Sequence, residues 1–262
     1  MASRIADRLR AVAAVLLPLG VRQWLRAQHR RFGLHRKPVG TVAFGDLRRL
    51  TPISRVFGLD RGLPIIDRYY IDKFLASCAD DISGRVLEMG DATYTCQFGG
   101  DRVTRSDVLH YVAGNPEATI VGDLTAADHI PSDSFDCIIL TQTLQMILDV
   151  RAALHHLHRI LKPGGVLLAT SHGISRIARR EGIDPWGEYW HFTAQSTRHL
   201  FGALFPADHV RIVTYGNVLS AAASLYGLTA ADLTREELDH CDSDFEVIVA
   251  VRAQKPLVGV AR

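Results

Sequence analysis

Val86-Leu87-Glu88-Met89-Gly90-Asp91-Ala92-Thr93-Tyr94 is an apolar run that stops at a glycine, and Val103-Thr104-Arg105-Ser106-Asp107, a short distance on, ends in an acid. A buried strand entering a glycine turn, followed by a strand that closes on a carboxylate, opens a doubly wound α/β sheet that holds an adenosine-containing cofactor. In that arrangement the backbone approaches the ligand at the first turn and the second acid takes ribose hydroxyls. Glu88 and Asp107 are the two acids, 19 residues apart, close to the roughly 20 that side-by-side strands require.

The chain continues in the same order. Thr119-Ile120-Val121-Gly122-Asp123-Leu124 reads as a third strand whose terminal acid, Asp123, suits an adenine amino group. Phe135-Asp136-Cys137-Ile138-Ile139-Leu140 is a continuous apolar run of the kind buried on both faces of a parallel sheet, and it opens onto a cleft at Thr141-Gln142-Thr143. Asp149 is a helix N-cap, with Val150, Leu154, Leu157, Ile160 and Leu161 on one face. Lys162-Pro163-Gly164-Gly165 stops that helix before a strand over 166–170. Further on, 210–215 and 245–251 read as two terminal strands with a helix over 218–226 between them. Upstream, the turn-rich stretch 41–64 ends at a proline able to start a helix, and Ile71, Phe74, Leu75 and Cys78 at i, i+3, i+4 and i+7 form its core stripe.

From about residue 60 to 255 the chain resembles the class I S-adenosylmethionine-dependent methyltransferases. His158-Arg159-Ile160-Leu161-Lys162-Pro163-Gly164-Gly165-Val166-Leu167-Leu168 is similar to that family's post-helix loop, and Ser134-Phe135-Asp136-Cys137-Ile138-Ile139 to its fourth-strand motif. Gly62-Leu63-Pro64-Ile65-Ile66-Asp67-Arg68-Tyr69-Tyr70-Ile71 and Trp186-Gly187-Glu188-Tyr189-Trp190-His191-Phe192-Thr193 resemble segments of the methyltransferases encoded beside glycosyltransferases. The resemblance implies a seven-stranded, mostly parallel Rossmann-like methyltransferase sheet, S-adenosylmethionine as cofactor, and O-methylation of a sugar, a glycosylated metabolite or another small molecule, with polyketide and amino acceptors open as well. It places Glu88, Gly90, Asp91, Asp107, Gly122, Asp123, Leu124, Thr141 and Gln142 at the cofactor. An N-terminal helix that closes over the cofactor would bring Arg68, Tyr69 or Tyr70 to its carboxylate, with core packing as the competing reading for one tyrosine.

The chain also departs from the family pattern. Where the family has Gly-x-Gly-x-Gly, this sequence has Gly90-Asp91-Ala92-Thr93-Tyr94, so Ala92 and Tyr94 carry side chains where backbone should approach the ligand. Twelve residues separate Met89 from Arg102, room for one or two turns of helix in the first crossover. Two other function classes explain these departures: a catalytically silent fold serving as a partner in a biosynthetic complex, and a cofactor-binding fold turned to non-methyl chemistry.

Methyl transfer from a sulfonium is an in-line displacement, so most of the protein's task is alignment. A hydroxyl acceptor also needs its proton removed. His172, after the fifth strand, and His191, in the aromatic segment, are the candidate general bases. Trp186, Tyr189 and Trp190 read as a pocket wall or lid. His155, His156 and His158 read as a solvated helix face, and no metal is expected. The four cysteines show no Cys-x-x-Cys spacing and read as reduced, mostly buried thiols of a cytoplasmic protein, without a zinc site or disulfide framework.

Charge is uneven along the chain. Residues 1–37 carry nine Arg and Lys against Asp7 alone, a net +8, while the whole chain is only +2, which leaves the remainder at −6. That remainder lacks the clustered cations that bind a phosphate backbone, so nucleic acid is excluded as a partner. The apolar stretch 11–19 is far short of the ~20 residues of a membrane span, and Pro18 interrupts it. With Trp24 and Leu25 among arginines, residues 1–37 suit peripheral contact with anionic lipid or with a protein, or else form a solvated arm. The expected organisation is a basic arm over 1–40, a cap segment and helix over 41–84, the methyltransferase domain over 85–255 and a flexible tail over 256–262.

Overall fold

Seven strands form among the described residues: β1 Gly84–Met89, β2 Val103–His110, β3 Ile120–Val121, β4 Phe135–Thr141, β5 Leu161–His172, β6 Val210–Tyr215 and β7 Ile248–Gln254. The structure, a computed structural model, describes Val21 and residues 45–178 and 187–257. Expectations that fall on the rest of residues 1–37, on Trp186 and on the end of the tail lie outside the described residues. The chain divides into two compact units, Met1–Leu50 and Thr51–Arg262. In the first, the described part beyond the helical Val21 is the short turn Gly45–Leu47 and the three residues after it. No helix among the described residues is long and apolar enough to cross a membrane.

The second unit carries a seven-stranded sheet in the order β3-β2-β1-β4-β5-β7-β6. The pairs β1–β2, β1–β4, β2–β3 and β4–β5 are parallel, and β7 runs antiparallel to both β5 and β6. The strand order reverses between β1 and β4, and a doubly wound sheet opens a crevice at such a point, beyond the carboxyl ends of the strands. Met89-Gly90 and Thr141-Gln142 therefore meet there.

Alternation along β4 explains why it reads as unbroken apolar sequence. Phe135, Ile138 and Leu140 pack on one face with Leu87 and Leu109, and Cys137 and Ile139 on the other with Val86, Val166 and Leu168. Helix α1 (Ile66–Ala76) covers the second face through Tyr70, Ile71, Phe74 and Leu75. Helix α2 (Val150–Ile160) covers the first through Leu154, Leu157 and Ile160, and α3 (Ala194–Phe201) joins it there through Phe201. Helices α4 (Val218–Tyr226) and α5 (Arg235–Asp239) follow on the side of α1.

Capping sets the ends. The Asp149 carboxylate accepts the Ala152 N–H at 3.0 Å and starts α2. Leu161, expected on the helix, has ψ 137° and already belongs to β5. The last strand starts at Ile248 because Phe245 N–H donates to the Asp242 carbonyl in a turn. Cys78 lies beyond the last residue of α1, buried with Cys137, whereas Cys96 and Cys241 are exposed. His158 departs from the solvated reading: it is half-buried with its ring edge-on to Phe205 at 4.9 Å. In the first crossover, Thr95–Gly99 makes a single π-helical turn and Gly100–Arg102 a 3-10 turn, in place of a full helix.

Candidate active site

The crevice between β1 and β4 is a cleft of about 560 Å³. Its floor comes from strand ends: Met89 and Gly90 after β1, Leu109 to Tyr111 at the end of β2, Gly122 to Thr125 after β3, and Gln142 and Thr143 after β4. Ile147, Leu148 and Tyr189 add apolar wall. Gly90 has φ +88°, where a side chain is strained, and a Cβ there would meet nothing within 4 Å. The glycine thus leaves the space beside its Cα open, which is what close approach by a ligand needs, while its N–H donates to the Leu109 carbonyl at 3.0 Å and its carbonyl accepts from Asn115 Nδ2 at 2.6 Å. Asp123 lines the cleft while its Oδ1 accepts the Thr125 N–H at 2.8 Å, capping the turn Leu124–Ala126.

Gln142 marks the site by strain as well as position. Its φ is +50°, in a region that L side chains rarely adopt. Its Oε1 accepts from Gln145 Nε2 at 2.9 Å, yet its own Nε2 is buried and has no partner. An orphaned buried donor costs about 1–3 kcal/mol and points to an absent acceptor. Volume, apolar wall and the few polar groups at the strand ends together fit a nucleoside-sized ligand.

Gly90, Gly122, Asp123, Leu124 and Gln142, all expected at the cofactor, share this cleft. The other expected residues do not line it. Asp107 is the main correction. The apolar pair Val108-Leu109 carries β2 on to His110, so Asp107 sits mid-strand opposite Leu87. Its carboxylate is buried and takes Arg85 Nε at 2.7 Å, Arg105 Nη2 at 3.0 Å and Thr119 Oγ1 at 3.1 Å. Burial pushes this carboxyl up, but those three donors outweigh burial and hold it below its ordinary value.

Glu88 is corrected too. Its carboxylate turns back to the short crossover, accepting Tyr94 N–H at 3.0 Å and both Thr95 N–H and Thr95 Oγ1–H at 2.7 Å. Burial raises its pKa against those hydrogen bonds. Asp91 is exposed and accepts the Thr93 N–H. Thr141 gives its carbonyl to Thr143 Oγ1. Tyr69 Oη donates to Asp239 at 2.8 Å and Tyr70 Oη to the Leu238 carbonyl at 3.0 Å, so both tyrosines tie α1 to α5. Arg68 donates to the Tyr94 hydroxyl at 2.7 Å, which gives the side chain at the altered glycine position a partner.

A second set of polar groups converges beyond the end of β5. His172, its last residue, is buried, and its Nε2–H donates to Glu188 Oε1 at 2.7 Å. The other carboxylate oxygen accepts the Ala178 N–H. His191 Nδ1–H donates to the Gly173 carbonyl at 2.9 Å, so its Nε2 is the nitrogen that faces Glu188 Oε1, 3.5 Å away. The two imidazole rings meet edge to face with centroids 4.8 Å apart. Burial lowers the pKa of His172, against the pull of Glu188. Asp67, at the start of α1, has its carboxyl pushed up by burial, against the pull of Arg68 and His172.

The chain is locally built to hold this cluster. Phe192 N–H donates to the His172 carbonyl at 3.0 Å, and Tyr189 N–H to the Gln145 carbonyl at 2.8 Å. Trp190 Nε1–H is shared between the carbonyls of Ile147 at 2.9 Å and Leu148 at 3.2 Å. A Cβ on Gly173 would run into the Glu246 and Phe192 carbonyl oxygens, so only glycine turns the chain here. Glu188 is the residue that sequence reasoning missed as a site residue. Its signal was the one-turn spacing Glu188-x-x-His191, with Gly187 and Tyr189, both in the cleft wall, on either side of the glutamate.

A family model described as a methyltransferase domain matches residues 66–211, more than half of the chain. The chain belongs to this methyltransferase family, and S-adenosylmethionine is the cofactor that membership carries. Among solved structures, an S-adenosylmethionine-dependent methyltransferase from Mesorhizobium loti is 18% identical, with 76% of this chain and 100% of that chain covered at a TM-score of 0.45. One from Archaeoglobus fulgidus is 13% identical, with 72% and 90% covered at 0.45. A Haemonchus contortus N-methyltransferase, in complex with phosphomonomethylethanolamine and S-adenosylhomocysteine, is 13% identical, with 84% and 62% covered at 0.44. No curated protein matches the sequence.

Proposed function

We propose that the protein transfers the methyl group of S-adenosylmethionine to a hydroxyl of a small molecule, a sugar or a glycosylated metabolite. The observation that carries this reading is the His172–Glu188–His191 cluster, whose glutamate lies between two residues of the cleft wall. S-adenosylmethionine supplies an electrophilic methyl group on a sulfonium. Asp123 and the orphaned Gln142 amide are the groups suited to binding and orienting it, and Gly90 leaves room for its approach. Tyr189 and Leu148 supply apolar wall against which the cofactor can pack. The acceptor hydroxyl lies at the cluster, which removes its proton, and Glu188 stabilises the positive charge that develops there. The sugar class is supported by the resemblance of 62–71 and 186–193 to methyltransferases encoded beside glycosyltransferases, and the +8 charge of residues 1–37 supports peripheral contact with an anionic surface.

One observation favours a second reading. Glu88, near the end of β1, is committed to the internal partners Tyr94 and Thr95, which suits a fold that has given up catalysis for a structural role. Incubating full-length protein with methyl-labelled S-adenosylmethionine and a panel of free sugars, glycosides and their amino counterparts separates the two. A base-stable methyl ether on a hydroxyl is the expected product. Label on nitrogen overturns the hydroxyl assignment, and tight cofactor binding with no transfer to any acceptor supports the silent fold.

A further inference from the structure

We propose that His172, Glu188 and His191 form a binding site for a divalent first-row cation of the Zn²⁺ class, and that this cation seats the acceptor hydroxyl. The metal site stands on the three residues alone, and the seating rests on the proposed acceptor reading.

Two imidazole nitrogens and one carboxylate oxygen are a donor set that binds Zn²⁺ while leaving a position open. With metal–ligand bonds of about 2.0–2.2 Å, tetrahedral ligand atoms lie roughly 3.3–3.5 Å from one another. Glu188 Oε1 is 2.7 Å from His172 Nε2 and 3.5 Å from His191 Nε2, and the three ligand atoms all lie within 4.8 Å of one another. Small ring rotations bring them onto one ion. Among the described residues no other group of three side chains meets this geometry.

Electrostatics points the same way. The Gly173 carbonyl claims the Nδ1–H of His191, so a neutral His191 turns a lone pair towards a carboxylate oxygen. That nitrogen, the carboxylate oxygen and His172 Nε2 converge on one point, where a divalent ion can take a lone pair from each.

The surroundings also match a metal site. Metal-binding histidines hold their other N–H on a carbonyl or carboxylate, and ligating carboxylates are themselves hydrogen-bonded. Gly173 O does the first for His191, and Ala178 N–H does the second for the outer oxygen of Glu188. The His191 side chain is 35% exposed, which leaves an approach for an incoming oxygen. For His172 to coordinate through Nε2, its ring proton moves to Nδ1, and the Nε2 lone pair then takes the ion in place of the hydrogen bond to Glu188.

The test uses full-length protein stripped of metal by a chelator, with Zn²⁺ titrated by calorimetry and Co²⁺ followed by its visible absorption. One equivalent of Zn²⁺ and the absorption of low-coordinate cobalt are expected. His191→Ala and Glu188→Gln should each weaken Zn²⁺ binding at least tenfold, while His156→Ala on α2 leaves it unchanged. His172 is buried, so His191→Ala at the exposed edge is the primary variant, and its thermal unfolding with and without Zn²⁺ shows whether it is folded and whether the metal still stabilises it. Absence of saturable binding, or equal binding in the ligand variants, overturns the metal site. Labelled methyl transfer before and after chelation keeps the two claims apart. Zn²⁺ binding without hydroxyl methylation overturns the acceptor reading and leaves the metal site. Hydroxyl methylation unaffected by chelation, in a protein that binds no Zn²⁺, does the reverse.

Discussion

Asp107→Ala should destabilise the protein and leave its cofactor affinity nearly unchanged, the opposite of what its place in the sequence suggests. The carboxylate is 1% exposed and accepts from Arg85, Arg105 and Thr119. The Arg85 contact is the strongest: at 2.7 Å and partly shielded it falls in the ~1.5–3 kcal/mol range of hydrogen bonds to charged groups. Arg105 is 62% exposed, so screening holds its contribution to about 0–1 kcal/mol. Thr119 adds the ~0.5–1.5 kcal/mol of an ordinary hydrogen bond. Relief of the buried charge offsets part of this, and a net loss of about 3 kcal/mol remains. For a unit of this size that lowers Tm by roughly 6–12 °C.

The loss should depend on pH in a defined direction. The Asp107 pKa is depressed in the folded state, so its stabilisation is fully present above the unfolded value of about 3.9 and disappears as pH falls through the folded value. The Tm gap between wild type and Asp107→Asn should therefore be full at neutral pH and close in acid. Thermal unfolding across pH, with S-adenosylhomocysteine calorimetry at neutral pH, measures both quantities. An unchanged Tm with cofactor affinity reduced tenfold or more would refute the reasoning and return Asp107 to the ribose.

Gly90→Val places a side chain at φ +88° in the space the cleft keeps open; cofactor affinity by calorimetry should fall at least tenfold. His191→Ala should lower turnover by about 10² to 10⁴ while S-adenosylmethionine affinity stays within a few-fold, and a matching loss of affinity would place His191 at the cofactor instead. Phe74→Ala removes a fully buried ring of α1 and should cost about 3–5 kcal/mol in denaturant unfolding. Residues 1–37 should bring the protein down with anionic vesicles in a salt-sensitive manner, and equal sedimentation of a variant lacking them would make the arm merely solvated.

The sheet was legible because β1 and β4 are buried on both faces and so appear as unbroken apolar runs, whichever way each side chain points. The cleft was legible in part for the same reason: Gly90, Asp123 and Gln142 follow strand ends that those runs define. Asp107 misled because its distance from Glu88 suits two strand-end acids, and spacing alone does not show that Val108-Leu109 extends β2 past it. Glu88 misled because a carboxylate beside a glycine turn looks ready for a ligand, whereas the abbreviated crossover has N–H groups of its own to satisfy. The meeting of His172, Glu188 and His191 depends on how the chain beyond β5 folds back through the Phe192–His172 and Tyr189–Gln145 backbone bonds. No local pattern announces those bonds.

The central claim is that the cleft beyond β1 and β4 holds S-adenosylmethionine, and calorimetric titration of full-length wild type, Gly90→Val and Asp107→Ala tests it most directly. One-to-one binding in wild type, retained in Asp107→Ala and lost in Gly90→Val, is the expected pattern. Absence of binding in wild type, or undiminished binding in folded Gly90→Val, would contradict it.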